Sequence, residues 1–225
     1  MIMNEKLEIQ ENFTRIKNSL TSNIDLVAVS KTHSADKILM VYELGQRVFG
    51  ENKVQELVEK EKVLPNDIQW HLIGHLQTNK VKYIAPFIDT IQSVDSKKLL
   101  EEINKQALRN DRKIKIYLQI KIAEEETKSG LEINDANEIF ESCLQGDFPN
   151  VELKGLMGIA TFTEDKNQTR QEFLKLKAIF DEMSQRQPLK ILSMGMSDDY
   201  LLAIECGANS VRIGSSIFGH RNYQN

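Results

Sequence analysis

The sequence predicts a closed (β/α)8 barrel, an α/β fold of the TIM type, and three observations carry that reading. Short apolar, β-branched runs alternate with amphipathic helical stretches along most of the chain. Eight such runs occur, and no linker, low-complexity tract or composition shift divides them. At 225 residues the chain also has the length of a barrel that forms one domain, expected here over 1–225. An open doubly wound sheet is the competing architecture, but eight strands in so short a chain favour closure.

An extra helix is expected before the barrel, because Ile9, Phe13, Ile16 and Leu20 recur at helical spacing. The strands then read, in order, as Asp25–Ser30, Arg47–Gly50, Ile68–Ile73, Thr90–Val94, Lys113–Ile122, Glu152–Ala160, Lys190–Ser193 and Asn209–Ile213. Helices fill the gaps over Ala35–Leu44, Lys53–Val63, Thr78–Ala85, Lys97–Leu108, Ile133–Leu144, Gln168–Ser184 and Asp199–Cys206. Ser34 and Asn134 stand where N-caps belong, and Gly45 and Gly207 where helices should stop. Pro65, Pro149 and Pro188 each precede a strand, where they block helix continuation.

The composition narrows the function. A hydrophobic fraction of 40% fills a core, and a formal charge of -4 argues against a nucleic-acid scaffold, which needs a basic face. Cys143 and Cys206 lack metal or redox spacing and are expected as reduced, packed thiols. The segment Met1–Gln10 carries acids and no apolar run, and nothing approaches a membrane span, so a cytoplasmic protein is expected.

Barrels of this kind gather their chemistry at the C-terminal ends of the strands. That rim reads Lys31, Gly50-Glu51-Asn52, Ile73-Gly74-His75, Ser93, Gly158, Gly195-Met196-Ser197 and Arg212-Ile213-Gly214-Ser215. The loops after the seventh and eighth strands each offer glycine, a hydroxyl and a following helical turn, a phosphate-binding combination. Ser197 alone could simply cap the next helix. Lys31 could be an ordinary snorkelling lysine. At the rim, facing phosphate loops, it also suits Schiff-base chemistry with a phosphorylated aldehyde. Arg212 could pair with Glu205 at the surface, or stand beside a cofactor ring as a permanent cation.

Five motifs in order then resemble one family, the pyridoxal phosphate homeostasis proteins. They are Ala28-Val29-Ser30-Lys31-Thr32; Phe49-Gly50-Glu51-Asn52 with Gln55-Glu56; and Trp70-His71-Leu72-Ile73-Gly74-His75-Leu76-Gln77-Thr78-Asn79-Lys80. Gly195-Met196-Ser197-Asp198-Asp199 and Val211-Arg212-Ile213-Gly214-Ser215-Ser216-Ile217-Phe218-Gly219 complete the set. The resemblance implies a barrel like the N-terminal domain of alanine racemase, with pyridoxal 5'-phosphate as a Schiff base on Lys31. It also implies phosphate contacts from Ser197, Gly214 and Ser215, Arg212 facing the pyridine nitrogen, and Asn52 and His71 lining the pocket. The family handles the cofactor in vitamin B6 balance without turnover, with pyridoxal phosphate-dependent apoenzymes as partners to consider. Lys121 stands where asparagine is expected, and Gln92 where histidine is frequent before Ser-Val-Asp.

Two enzymes compete with a carrier. A racemase needs a second proton-handling group opposite Lys31. In alanine racemase that group resembles a tyrosine completed by a further domain across a dimer. This chain ends at His220-Arg221-Asn222-Tyr223-Gln224-Asn225, and none of its five tyrosines falls on the expected rim, so a non-catalytic monomer is expected. A cofactor-free Schiff-base aldolase would also use Lys31 and a phosphate site; the resemblance and Arg212 speak against it.

Overall fold

A computed structural model describes residues 2–125 and 129–219, and Tyr223, with the rest of the C-terminal segment, lies outside them. The chain opens with α1 (Ile2–Ser19), β1 (Asp25–Val29), α2 (Ala35–Glu43), β2 (Val48–Glu51) and α3 (Val54–Glu61). It continues through β3 (Gln69–Leu72), a 3-10 turn (Thr78–Lys80) running into α4 (Val81–Ile84), β4 (Thr90–Val94) and α5 (Lys97–Arg109). Then follow β5 (Ile114–Gln119), α6 (Ile133–Leu144), β6 (Val151–Met157), α7 (Lys166–Arg186), β7 (Ile191–Ser193), α8 (Tyr200–Glu205), β8 (Ser210–Ile213) and α9 (Ser215–Phe218). Each strand pairs in parallel with the next, and β8 returns to β1, so the expected barrel is closed.

Strand alternation sorts the side chains into two populations. One set, including Leu26, Ala28, Phe49, Trp70, Leu72 and Ile91, packs against Ile38, Val41, Leu57, Ile84, Ile103 and Phe140 from the helical ring. This is the apolar core. The other set faces the barrel axis, and it is unusually polar: His71, Thr90, Gln92, Ser193 and Arg212 are all buried. The register Val27↔Arg212 and Val29↔Gly50 carries the inward parity of β1 from Val27 through Val29 to Lys31. Lys31 therefore reaches the mouth because two odd-numbered valines already point inward.

The N-terminal helix has a structural task. Ile9, Phe13 and Ile16 are buried on it, and it packs on α2 and α9. Each buried side chain is worth roughly 2 kcal/mol. α9 is the short helix that follows the eighth-strand loop, so α1 braces the very segment expected to hold phosphate.

Several boundaries differ from expectation. β5 and β6 stop at Gln119 and Met157, and the apolar runs read longer because Ile120, Ile122, Ala123, Gly158 and Ala160 stay buried beyond the strand ends. Asn134 lies inside α6, whose N-cap is Glu132, with extended backbone and no side-chain cap bond. Ser34 does occupy the N-cap of α2, without a side-chain cap bond. Gly45 and Gly207 follow α2 and α8 in the left-handed region, at φ 95 and 100. Cys206 is buried and Cys143 half-buried, both free. Among the described residues no helix is long and apolar enough to cross a membrane, and no cluster of His, Cys, Asp or Glu could hold a metal.

Candidate functional site

A cavity of about 230 Å³ opens at the C-terminal mouth of the barrel. Lys31 and Asn52 line it from the first two strands, and Ser197, Arg212, Gly214 and Ser215 from the last two. Six of the seven residues singled out in the sequence thus meet in one place. His71 does not border the cavity: it sits one residue short of the strand end, below the mouth, while Ile73 takes the lining position. His33, Ile159 and Phe162 line the cavity and had no role in the sequence reading. His33 stacks on Phe218 of α9 at 4.9 Å.

The two terminal loops form a donor nest. Ser197 does not cap α8, whose N-cap is Asp199. Instead the Ser197 hydroxyl oxygen accepts from the backbone N–H groups of both Gly214 and Ser216, each at 3.3 Å. Two amides aimed at one oxygen, through bonds near the long limit, make a concavity suited to an anionic oxygen. A side chain at Gly214 would bring a Cβ to 3.0 Å from the Val29 carbonyl oxygen, a tight approach that favours glycine.

Arg212 is not a surface residue; it is 3% exposed, and Glu205 pairs with Arg170 instead. Its guanidinium donates to the Ser193 carbonyl (2.9 Å), the Ser193 hydroxyl (2.7 Å) and the Gly158 carbonyl (2.9 Å). Burial lowers its pKa to about 10, with the Asp199 charge pulling the other way, so it remains cationic at neutral pH. Asp199 itself is pushed up by burial, against a bond from the Met196 N–H and the charge of Arg212.

A second charged group, which the sequence reading missed, holds the segment carrying Lys31. Lys60 is 7% exposed, on the same face of α3 as Val54 and Leu57. Its three ammonium protons meet three acceptors: the Ser30 carbonyl (2.8 Å), Glu51 Oε1 (2.7 Å) and Glu56 Oε1 (2.7 Å). Glu51 Oε1 also accepts from the Ser30 hydroxyl (2.6 Å), and Glu56 Oε1 from the Thr32 N–H (2.5 Å). The residues on both sides of Lys31 are thereby fastened to α3 and β2. Thr32 occupies the left-handed region at φ 69, costly for a β-branched residue. The helical spacing of Lys60 with two buried apolar residues was the signal available.

The two departures from the family pattern resolve differently. Lys121 pairs with Glu132 at 3.1 Å and does not line the cavity. Gln92 is fully buried between His71 and Ser193, bonding to both. An amine, a cation and a two-amide nest around one cavity fit an aldehyde that carries a phosphate.

The fold and this site define a class, the alanine racemase N-terminal-type barrels: the model of the alanine racemase N-terminal domain matches residues 6–222. An alanine racemase of Clostridium difficile superposes with a TM-score of 0.79 at 16% identity, over 96% of this chain and 60% of that one, a likeness of fold alone. The pyridoxal phosphate homeostasis protein of Pasteurella multocida is 36% identical over 96% of this chain and 99% of its own. PipY of Synechococcus elongatus, solved with pyridoxal phosphate bound, has a TM-score of 0.84 at 35% identity, over 94% of this chain and all of its own. The chain belongs to the pyridoxal phosphate homeostasis protein family.

Proposed function

We propose that this protein binds pyridoxal 5'-phosphate as a Schiff base on Lys31 and serves intracellular vitamin B6 homeostasis without catalytic turnover. The observation that carries the reading is the convergence of Lys31, Arg212 and the Ser197–Gly214–Ser216 nest on one cavity. When bound, the cofactor supplies an electrophilic aldehyde and an anionic phosphate. Lys31 provides the amine; Gly214, Ser215 and Ser197 receive the phosphate; Asn52 closes the side of the pocket. Arg212 faces the ring as a cation. An arginine cannot keep a pyridine nitrogen protonated as a carboxylate does, which makes the ring a weak electron sink and suits holding over turnover. The working unit is the single domain 1–225, a cytoplasmic monomer in this reading, with apoenzymes as recipients of the cofactor. Light scattering tests the oligomeric state.

The racemase alternative needs a second proton-handling group, and the described cavity lining offers His33 and Asp198 but no tyrosine. The deciding experiment is the absorption spectrum of freshly purified protein, followed by borohydride reduction and peptide mass analysis. The expected result is a yellow protein with pyridoxyl mass on Lys31. Lys31→Ala should lose the visible band and keep the fold, since a half-buried rim lysine adds little to the core. A visible band surviving in that variant would move the linkage to another lysine. Exchange of the α-proton of D- or L-alanine by the loaded protein would favour the racemase.

A further inference from the structure

The polar residues of the barrel interior form one connected line. Arg212 Nη1 donates to the Ser193 hydroxyl at 2.7 Å. That hydroxyl donates to Gln92 Oε1 at 2.7 Å. Gln92 Nε2 lies 2.8 Å from His71 Nδ1, and His71 Nε2 lies 3.5 Å from Asp89 Oδ2. Asp89 is anchored further by the Thr90 hydroxyl (2.7 Å) and by Lys115 (3.0 Å). The line crosses β8, β7, β4 and β3, with a cation at the cavity end and a carboxylate at the other.

We propose that Gln92 is the positioning residue of this line, giving it a single donor-to-acceptor direction from Arg212 to Asp89 and fixing His71 as the neutral imidazole protonated on Nε2. The direction follows from counting protons. Arg212 can only donate, so Ser193 Oγ accepts from it and must place its own proton elsewhere. Gln92 Oε1 is the acceptor within reach, which turns Gln92 Nε2 toward His71. Nδ1 must then accept, leaving the ring proton on Nε2, facing Asp89. The flipped amide would aim a second donor at Ser193 Oγ and leave a fully buried hydroxyl proton without an acceptor. The His71 ring also makes a T-shaped contact with the Tyr117 ring, centroids 6.4 Å apart.

The consequence is at the mouth. Both η nitrogens of Arg212 are tied down, one of them to a serine whose hydroxyl is itself held by Gln92. Gln92 thus sets the orientation of a cavity cation without touching the cavity, and His71 belongs to this support below the mouth. The ligand side of the inference rests on the pyridoxal phosphate reading; the tautomer does not.

The test uses the full chain labelled with 15N-histidine, with and without pyridoxal phosphate. Long-range proton–nitrogen correlations should show His71 protonated on Nε2 alone at neutral pH in both samples. In Gln92→Glu, which offers acceptors to both neighbours, His71 should acquire the second proton. In Gln92→Leu, pyridoxal phosphate affinity should fall by less than about tenfold, while the absorption maximum and its titration shift; Ser193→Ala should give the same shift. A wild-type His71 protonated on Nδ1, or on both nitrogens, overturns the direction. Variants that lower the melting temperature but leave the spectrum of the bound cofactor unmoved overturn the positioning role. If the protein takes up no pyridoxal phosphate, the proposed function and the positioning role fail together, while the tautomer measured on the unloaded protein is decided independently.

Discussion

Two buried polar assemblies support residues of the same cavity, Arg212 and the segment around Lys31, and handle charge in opposite ways. Inside the barrel, Arg212 and Asp89 are separated by Ser193, Gln92 and His71, each in polar contact on either side. Outside the barrel, Lys60, Glu51 and Glu56 are gathered around a single ammonium at 2.7 Å. The first arrangement leaves no member unsatisfied. The second leaves Glu51 Oε2 buried without a partner, one of two such side-chain atoms among the described residues. The spread line orients a side chain, Arg212. The compact cluster grips the Ser30 carbonyl, the Ser30 hydroxyl and the Thr32 N–H through charge-assisted bonds.

The sharpest way to break that comparison is to remove the centre of the compact cluster. Lys60→Met should cost about 3–5 kcal/mol, because it strands Glu51 as a buried, uncompensated carboxylate. Glu51→Gln in the Lys60→Met background should recover much of this, since the fully buried carboxylate is gone and only the more exposed Glu56 keeps its charge. Denaturant titration of the three proteins checks the order. Equal losses in the single and double variants would show that Lys60 acts by packing and not by charge.

The next distinction is in the sign of the acid response. Burial pushes Glu51 above its ordinary 4.5, outweighing the charge and hydrogen bond of Lys60 and the bond from Ser30. A carboxyl raised in the folded state holds its proton more tightly there, so its contribution is fully present below 4.5 and is lost as pH rises through the folded value. Asp89 runs the other way. Burial alone would raise it, but bonds from His71, Thr90 and Lys115 hold it well below its ordinary 3.8. Its contribution is present above 3.8 and lost as pH falls. Melting temperatures from pH 7 to 3 should therefore fall less steeply in Asp89→Asn than in the wild type, and more steeply in Glu51→Gln. Parallel acid limbs in all three proteins would contradict the assignment.

The same contrast explains what the sequence could reveal. Strand and helix order was legible because each element carries its own period, and the cavity residues because loops after β7 and β8 announce glycine and hydroxyls together. Ser197, Arg212 and Lys31 were read for the right ends of the right strands. What was not legible depends on contacts between elements distant in sequence. Gln92 reads as a departure from a pattern, yet its bonds go to β3 and β7. Glu51 and Glu56 fall within a motif, but their role depends on α3 placing Lys60 against them. His71 is expected in the pocket only from the family resemblance, while the strand-end reading places Ile73 at the rim, and in a sheet a short step along the strand separates lining from support. The extended expectations for β5 and β6 fail for a related reason: burial at the mouth continues past the last ladder bond.

The smallest predicted effect isolates what the compact cluster does for Lys31. Thr32 is held at φ 69 by its N–H bond to Glu56, so the cluster works against an unfavourable local conformation. Thr32→Gly removes the β-branched strain but adds backbone entropy to the unfolded chain, leaving a net gain of roughly 0.5 kcal/mol. The informative quantity is the coupling. If Glu56 serves to hold this turn, Glu56→Gln should cost less in the Thr32→Gly background than alone, both in stability and in pyridoxal phosphate affinity. Additive losses in the double-mutant cycle would mean that Glu56 only balances the charge of Lys60, and that the turn beside Lys31 keeps its shape by other means.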